Sequence, residues 1–203
     1  MSKGVLVVFS GPSGCGKDTI LHHYLGGRED VFLSISATTR SPRPGEVDGV
    51  SYFFLSEEQF KEKIAHDGML EYACYCVNYY GTPRDIVYEK LNAGIDVILE
   101  IEVQGALQIK KRCPEAVMIF VMPPSMEELR SRLVGRGTED METVEKRLLQ
   151  AQEEMKAAPQ YDFIIVNDLI EQAAADLQAV LRSQRLKTEN QKEFLNEVFH
   201  YDA

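Results

Sequence analysis

The sequence predicts an α/β fold in which a parallel sheet is covered by helices on both faces. Its predicted strands are four short runs of apolar, largely β-branched residues at 4–10, 96–102, 116–122 and 163–167. Continuous apolar runs, unlike alternating ones, are typical of strands that are buried on both faces. Segments of helical length lie between these runs, and such an alternation of strands and helices indicates parallel pairing.

The clearest helix is predicted over residues 169–186. Its apolar residues recur three and four positions apart, which is the spacing of one buried helix face. These residues are Ile170, Ala173, Ala174, Leu177, Val180 and Leu181. The polar tail that follows, 188–203, has apolar residues at helical spacing in Phe194, Val198 and Phe199, and we expect it to dock on the core.

Two stretches interrupt this alternation. Residues 36–90 are rich in Tyr, Ser, Thr, Pro and Gly, and they predict a small mixed or antiparallel sheet with one helix near 57–66. Residues 125–157 are mainly helical and carry several arginines. An apolar stripe is predicted there from Met141, Val144, Leu148, Ala151 and Met155.

Charge and composition narrow the range of partners. The 203 residues carry 22 basic and 32 acidic side chains, so the net charge is −10. Such an acidic chain is not expected to bind nucleic acid as its main partner, because that task requires a dominant basic surface. A few well-placed cations can still form a positive pocket for a small phosphorylated ligand.

Cysteine usage and hydropathy predict a cytoplasmic protein. The four cysteines form no CxxC pair, so a zinc site or a disulfide framework is not expected and a reducing compartment fits. The first apolar run is too short for a signal peptide, and no stretch approaches the ~18 apolar residues of a membrane span. We therefore expect no membrane association, and no feature implies an obligate protein partner.

A phosphate-binding loop, or P-loop, is predicted directly after the first strand, in Gly11-Pro12-Ser13-Gly14-Cys15-Gly16-Lys17. Glycines let successive backbone N–H groups turn toward phosphate oxygens, and the N-terminus of the next helix adds its positive end. Lys17 then reaches the outer phosphates as a point charge. The strand before and the helix after distinguish this motif from a glycine-rich turn with a solvated lysine.

The position after Lys17 departs from the usual pattern. It is Asp18, where a Ser or Thr hydroxyl normally contacts Mg²⁺. Asp18 could bind the metal directly or through water, and Thr19 could supply a hydroxyl instead. The loop therefore predicts a nucleotide with Mg²⁺ but leaves the ligands of the metal open.

A second cationic site is predicted in the segment 36–52. Arg40 and Arg43 stand three apart in a turn stiffened by prolines, and a fixed pair of guanidinium groups suits a phosphate dianion. Three tyrosines could donate hydroxyls to the same phosphate: Tyr52, Tyr79 and Tyr80. The alternative is a solvated loop whose arginines are free in water.

These motifs resemble those of the guanylate kinase family, whose members phosphorylate GMP from ATP. The matching segments follow the family order and cover nearly everything except the tail. They are GPSGCGK, TTRSPRPGEVDGVSY, Glu71-Tyr72, NYYGT at 78–82, LEIEVQG at 99–105, Arg136-Gly137-Thr138-Glu139 and IVND at 165–168. The segment from Thr38 to Tyr52 and the NYYGT segment are specific to the family, whereas the P-loop is shared with many activities.

The resemblance implies a P-loop NTPase fold, with a three-layer core around a parallel sheet, a small mixed-sheet insert that binds GMP, and a helical lid. The implied boundaries are 1–35, 91–124 and 158–187 for the core, 36–90 for the insert, 125–157 for the lid and 188–203 for the tail. The implied reaction transfers the γ-phosphoryl group of ATP to GMP or dGMP, giving ADP and GDP, with Mg²⁺ as cofactor, in purine nucleotide metabolism.

The resemblance also implies the residues that bind GMP. Those for its phosphate are Arg40, Arg43, Tyr52 and Tyr80, and those for guanine are Ser36, Glu71, Thr82 and Glu102. Chemistry agrees, because a carboxylate such as Glu71 accepts from N1–H and N2–H₂ of guanine, while a hydroxyl donates to O6. Adenine would leave that carboxylate unpaired. The other interpretation of Glu71 is a surface carboxylate on a strand.

Two carboxylates end the strand predicted at 96–102. Glu100 and Glu102 stand two apart, so we expect them on one side of the strand, at the carboxyl end where parallel sheets bind ligands. Burying both is costly unless a cation compensates. We therefore predict Glu100 near Mg²⁺ and its waters, with Asp18 and Thr19, and Glu102 at the guanine amino group.

The lid and the last strand complete the predicted ATP site. Arg132, Arg136 and Arg147 match the family's lid pattern, in which cations close over the transferring phosphoryl group and stabilise its charge. A single arginine on a helix is otherwise usually solvated. The family also implies that Asn167 and Asp168 lie near adenine, and the alternative is a helix N-cap. The residues predicted to be catalytic are Lys17, Arg40, Arg136 and Arg147.

Other functions remain open from the sequence alone. One is a kinase for a different nucleoside monophosphate, and another is a non-catalytic scaffold of the same fold. Such scaffolds typically lose the P-loop lysine or glycines, all of which are present here. A GTPase switch is less favoured, because the chain lacks an NKxD guanine motif.

Overall fold

The computed structural model describes residues 3–75, 77–135 and 140–199. Its strands are β1 (Leu6–Ser10), β2 (Val31–Leu33), β3 (Ala37–Thr38), β4 (Phe53–Phe54), β5 (Met69–Tyr75), β6 (Asn78–Pro83), β7 (Asp96–Glu100), β8 (Val117–Met122) and β9 (Phe163–Val166). Its α-helices are α1 (Lys17–Leu25), α2 (Glu57–Ala65), α3 (Arg84–Asn92), α4 (Val103–Arg112), α5 (Met126–Gly135), α6 (Met141–Met155), α7 (Ile170–Arg185) and α8 (Lys192–Phe199).

The larger sheet has the strand order β2-β7-β1-β8-β9, and all of its pairings are parallel. One face packs on α1 and α7, through buried residues such as Ile20 and Leu177. The other face packs on α3 and α4, through residues such as Val87 and Ile109. The predicted α/β fold with helices on both faces of a parallel sheet is confirmed.

The edge strands of this sheet differ from the prediction. β9 pairs only with β8, and Ile164 and Val166 are 53% and 47% exposed, while Ile165 packs against α1 and α7. The expectation that this run is buried on both faces is therefore wrong, because one face of an edge strand here stays open. β2, at the other edge, is only three residues long, and the apolar pattern did not predict it.

The smaller sheet has the order β4-β3-β6-β5 and is mixed, as predicted. α2 packs on it through Phe60, which is fully buried. The start of α2 is fixed by a capping box, in which Ser56 and Gln59 each accept from the backbone N–H of the other. The helix predicted near 57–66 is confirmed.

Two further helices, α5 and α6, pack on each other through Leu129, Leu133, Val144, Leu148 and Ala151. Met141, predicted as part of this stripe, is exposed, because it is the first residue of α6 and follows the N-cap Asp140. Among the described residues, no helix combines the length and the apolar character that crossing a bilayer requires.

The tail forms α8, but the expected docking on the core is wrong for its described residues. Phe194, Val198 and Phe199 are all exposed. The segment before α8 is joined to the end of α7 by polar contacts, since the side-chain amides of Asn190 and Gln191 donate to backbone carbonyls there, at 2.8 and 2.6 Å. Polar bonds therefore join the start of the tail, at Asn190 and Gln191, to the end of α7.

Candidate active site

The predicted phosphate loop joins β1 to α1 at the carboxyl end of the central strand. Gly14 and Gly16 have φ angles of 86° and 88°, which glycine adopts without strain. A Cβ atom on Gly16 would lie 2.3 Å from the amide nitrogen of Asn167, and one on Gly14 would lie 2.8 Å from the side chain of Leu133. Glycine is therefore required both by the backbone and by the close packing around the loop.

Lys17 is the first residue of α1, and its ammonium group folds back on the loop. It donates to the carbonyl oxygens of Gly11, at 2.8 Å, and Pro12, at 3.3 Å. Lys17 also lines a cavity of about 390 Å³ together with Arg147 of α6. Two predicted catalytic cations from distant parts of the chain therefore border one cavity.

Two residues of α6 that the sequence did not suggest border the same cavity. Gln150 and Glu154 line it beside Arg147, and the amide of Gln150 donates to the carboxylate of Glu154 at 2.8 Å. Their positions three and seven after Arg147 place all three on one face of α6. Helical spacing from Arg147 was the signal that could have found them.

The phosphate loop is held from outside by two residues predicted for the ATP site. Asn167 donates to the carbonyl of Cys15 at 2.8 Å, and Arg132 donates to the carbonyls of Asn167 and Cys15 at 2.9 and 3.4 Å. The amide oxygen of Asn167 is buried and has no hydrogen-bond partner among the described residues. The alternative that Asn167 caps α7 is wrong, because the N-cap of that helix is Leu169. Arg136 lies outside the described residues.

A second cavity, of about 310 Å³, lies between the two sheets. Its lining includes Ser36, Tyr52, Glu71, Tyr80, Glu100 and Glu102. The structure thus brings together residues that are separated by up to 66 positions in the sequence but were predicted to share a ligand. Gly81 and Gly105 also line this cavity.

Glu71 lines this second cavity and is only 5% exposed. The pairing of β5 with β6 places it opposite Thr82, whose hydroxyl donates to its carboxylate at 2.7 Å. Burial raises the pKa of Glu71 to about 7. The interpretation of Glu71 as a surface carboxylate is therefore wrong. Because the hydroxyl of Thr82 donates its hydrogen to Glu71, Ser36 remains as the hydroxyl predicted to donate to guanine O6.

The carboxylates at the end of β7 differ from each other. β7 ends at Glu100, which is half-buried, whereas Glu102 is the N-cap of α4 and is exposed, so the expectation that both are buried is wrong. Burial and hydrogen bonding with the carboxyl of Asp18 raise the pKa of Glu100 to about 8. Asp18, Thr19 and Glu100 also line one cavity together, so the three predicted metal ligands are neighbours.

The predicted phosphate site of the second cavity is built around Arg40. Its guanidinium lies 5.5 Å from the ring centre of Tyr52, and Tyr52 packs edge-to-face on Tyr80. Glu46, which the sequence did not assign, makes a two-point contact with Arg40. The side chain of Arg43 is exposed beside them. Tyr79, by contrast, stacks on Phe60 in the core of the smaller sheet, so it is not part of this site.

The fold and these two cavities define a class of protein. A glycine-rich loop with a lysine at the carboxyl end of a central parallel strand is the nucleotide-binding arrangement of P-loop phosphotransferases. The second cavity contains the buried carboxylate of Glu71 and is also lined by Tyr52, whose ring packs against the guanidinium of Arg40.

Comparison with known proteins identifies the family within this class. The guanylate kinase family model matches residues 3–184. The chain is 49% identical to a guanylate kinase of Clostridioides difficile (strain 630), over 98% of this chain and 97% of that protein. It is 52% identical to one of Streptococcus pneumoniae (strain ATCC BAA-255 / R6), over 90% and 88% of the two chains. The crystal structure of guanylate kinase from Anaplasma phagocytophilum matches with a TM-score of 0.75 and 32% identity, over 100% and 98%. The chain belongs to the guanylate kinase family.

Proposed function

We propose that this protein transfers the γ-phosphoryl group of ATP to GMP, giving ADP and GDP, and that it accepts dGMP as well. The observation that carries this proposal is the buried carboxylate of Glu71 in a cavity next to the phosphate loop. Glu100 and Glu102 line both this cavity and the one beside Lys17, so the two sites share a wall. Nucleotides in the two sites can therefore bring their phosphates together.

Recognition of the acceptor base is assigned to the part of the second cavity around Glu71. Ionised Glu71 accepts from N1–H and N2–H₂ of guanine, Ser36 donates to O6, and Glu102 accepts from the amino group. Adenine offers no hydrogen at N1, so ionised Glu71 would have no donor on the base, at a cost of ~1–3 kcal/mol. Other nucleoside monophosphates are therefore poorer acceptors.

The acceptor phosphate is assigned to Arg40 and Arg43, with the hydroxyls of Tyr52 and Tyr80. Two guanidinium groups suit a phosphate dianion, because each offers paired donors in a fixed plane. Glu46 holds Arg40 in its orientation without occupying all of its donors. The acceptor oxygen is thereby aimed toward the cavity that Lys17 borders.

The donor phosphates are assigned to the phosphate loop 11–19. In the complex, phosphate oxygens replace the carbonyls of Gly11 and Pro12 as acceptors for the ammonium group of Lys17. Arg147 and Arg136 of the lid neutralise charge on the transferring group. Arg132 and Asn167 support the loop by their contacts with Cys15. Positioning and charge stabilisation are sufficient for this reaction, so no strong general base is required.

The oxygen donors at the end of β7 and the start of α1 fit Mg²⁺. The carboxyls of Asp18 and Glu100 are in contact, so ionising both without a nearby cation costs free energy. The raised pKa of Glu100 is consistent with this cost. We propose that these two residues, with the hydroxyl of Thr19, hold the ion directly or through water. When bound, Mg²⁺ neutralises charge on the phosphates of ATP.

Closure of the insert (36–90) and the lid (125–157) over the core (1–35, 91–124 and 158–187) is part of the proposal, because transfer requires that water be excluded. Hydrogen exchange tests it. ATP and GMP together should protect the amides of α6 far more than either nucleotide alone. Equal protection by ATP alone would contradict closure.

The test of the function is the production of ADP from ATP and Mg²⁺ with each of GMP, dGMP, AMP, CMP, UMP and dTMP. We expect turnover with GMP and dGMP and little with the others. Turnover with a different monophosphate would favour the alternative kinase. Binding of GMP without turnover would favour a scaffold and would direct attention to Asp18.

A further inference from the structure

One face of α4 runs along the edge of the smaller sheet. α4 follows β7 of the larger sheet, while β5 is the outer strand of the smaller one. Gly105, Gln108 and Arg112 stand at intervals of three and four, so they share one helix face. Each of the three lies against β5, close to Glu71, as the contacts below show.

Gln108 occupies the place that a neighbouring strand would take beside Tyr72. Its side-chain amide donates to the carbonyl of Tyr72 at 2.9 Å, and its amide oxygen accepts from the backbone N–H of Tyr72 at 3.3 Å. Arg112 donates to the carbonyls of Met69 and Leu70, at 2.7 and 3.2 Å. The backbone of β5 is therefore held by α4 on both sides of Glu71.

Gly105 is in direct contact with the carboxylate of Glu71. A Cβ atom added to Gly105 would lie 2.6 Å from Oε2 of Glu71 and 3.1 Å from its Cδ. Gly105 is buried in the first turn of α4 and its φ is not in the left-handed region, so alanine suits its backbone. The nearest obstacle to a side chain at this position is the carboxylate itself.

We infer that Gly105 and Gln108 are positioning residues that set the base specificity of the acceptor site through Glu71. Gln108 fixes the strand that carries Glu71, Thr82 fixes one carboxylate oxygen, and the bare backbone of Gly105 leaves room for the other. The inference rests on the proposed function, because it takes Glu71 as the acceptor for guanine N1–H and N2–H₂. A displaced carboxylate loses the amino-group contact that separates GMP from IMP.

The first test is Gly105→Ala, with Gly26→Ala as its matched control. At Gly26 the nearest atoms to an added Cβ are 3.6 Å away and the φ is negative, so this change is accommodated. We expect Gly105→Ala to lower the ratio of kcat/KM for GMP over IMP by roughly 10-fold. The KM for ATP should not change, and the control should keep the ratio of the original protein.

The second test is Gln108→Met, with Lys111→Met as its control on the exposed side of α4. Methionine keeps the length and helix propensity of both side chains but removes the two bonds to Tyr72. We expect a fall in the GMP-to-IMP ratio that is smaller than for Gly105→Ala, because only the strand is loosened. Circular dichroism and thermal unfolding establish that each variant is folded.

A double-mutant comparison separates positioning from a structural role. In a Glu71→Ala background, Gly105→Ala has no carboxylate to displace, so it should leave the GMP-to-IMP ratio unchanged. A folded Gly105→Ala protein with an unaltered ratio would overturn the inference. An equal fall in the GMP-to-IMP ratio on Gly105→Ala in the presence and absence of Glu71 would also overturn the inference.

The preference for GMP over IMP can also be measured without catalysis, as the ratio of the two binding affinities determined by calorimetry. If the original chain binds GMP but does not phosphorylate it, the proposed function fails while the positioning of Glu71 is still tested by these affinities. If it phosphorylates GMP and the Gly105→Ala ratio is unaltered, only the inference fails.

Discussion

Arg40 and Glu46 form a two-point ion pair, with nitrogen–oxygen distances of 3.0 and 2.9 Å. One oxygen of Glu46 also accepts from the backbone N–H of Arg43 at 2.7 Å, so the loop 40–46 is closed on itself. The guanidinium of Arg40 lowers the pKa of Glu46 and keeps it ionised. A single carboxylate therefore orients Arg40 and shapes the turn that carries Arg43.

We predict that Glu46→Gln raises the KM for GMP several-fold and changes the KM for ATP little. Glutamine keeps the size of the side chain but can no longer pair with both guanidinium nitrogens of Arg40. Initial rates at varied GMP measure the effect. Glu29→Gln, at an exposed position between α1 and β2, is the control. An unaltered KM for GMP in the Glu46 variant would show that Arg40 is oriented by other contacts.

Binding of GMP should depend on the ionisation of Glu71. Guanine donates to the charged carboxylate, but the pKa of Glu71 in the free protein is raised to about 7. We therefore predict that GMP binding strengthens from pH 6 to 8 and releases a proton near pH 6.5. Calorimetry in buffers of different ionisation enthalpy measures that proton. Glu71→Gln should bind GMP weakly and keep only the pH dependence of the GMP phosphate, whose second pKa is about 6. Proton release by this variant equal to that of the original protein at pH 7 would contradict the assignment.

The same carboxyl should affect stability in a defined direction. Its pKa is higher in the folded protein than the ordinary 4.5, so the stability that its neutral form provides is complete below pH 4.5 and is lost as the pH rises through 7. Between pH 5 and 8, Glu71→Gln should become more stable than the original protein, by at most ~3 kcal/mol. Urea unfolding at both pH values measures this difference. If the difference in unfolding free energy between the variant and the original protein were the same at pH 5 and pH 8, a buried, neutral Glu71 would be contradicted.

Lys17→Met should remove catalysis while leaving the fold intact. The hydrogen bonds of the ammonium group go to the carbonyls of Gly11 and Pro12 and to the sulfur of Cys15, all within the loop, and the group borders the cavity assigned to the transferring phosphoryl group. We expect kcat to fall by ~100- to 1000-fold, as for other preorganised charge contacts. GMP affinity, measured by calorimetry, should stay close to the original. Lys111→Met is the control for loss of a lysine, and equal losses in both variants would contradict this role.

Asp96 joins three parts of the core, and its loss should destabilise the protein. Its buried carboxylate accepts from the backbone N–H of Val5 and from the guanidinium of Arg185, both at 2.9 Å. Asp96→Ala leaves a buried N–H without an acceptor, so we expect a loss of ~2–4 kcal/mol in the free energy of unfolding. Asp96→Asn, which keeps an acceptor, should lose less. Equal losses from both variants in urea unfolding would show that the charge alone matters.

The parts of the site that were predicted correctly have local causes. A phosphate loop consists of consecutive residues whose backbone binds the ligand. The order of the glycines and Lys17 in the sequence is therefore sufficient to predict the loop. The strand runs and the helix near 57–66 are local in the same sense. Arg40 was predicted from its spacing with Arg43, and the family resemblance added Glu71. Glu71 lines the second cavity, as does Tyr52, the aromatic neighbour of Arg40.

The parts that were missed depend on contacts between distant segments. The exposed face of β9 follows from its place at the edge of the sheet, and the exposure of Glu102 follows from where β7 ends. Gln150 and Glu154 matter only because α6 borders the phosphate loop. The edge position of β9 and the exposure of Glu102 leave no trace in the local sequence pattern. Helical spacing places Gln150 and Glu154 on the face of Arg147, but it does not reveal that this face borders the phosphate loop.

The sequence by itself determined the α/β class, the phosphate loop and the family, because short-range spacing and motif order specify backbone conformation and ligand chemistry. Only the tertiary structure decided which carboxylates are buried, that Glu46 holds Arg40, and that Gly105 leaves room for Glu71. The physical reason is that burial, charge pairing and close approach are properties of two surfaces brought together, and these surfaces belong to segments far apart in the chain.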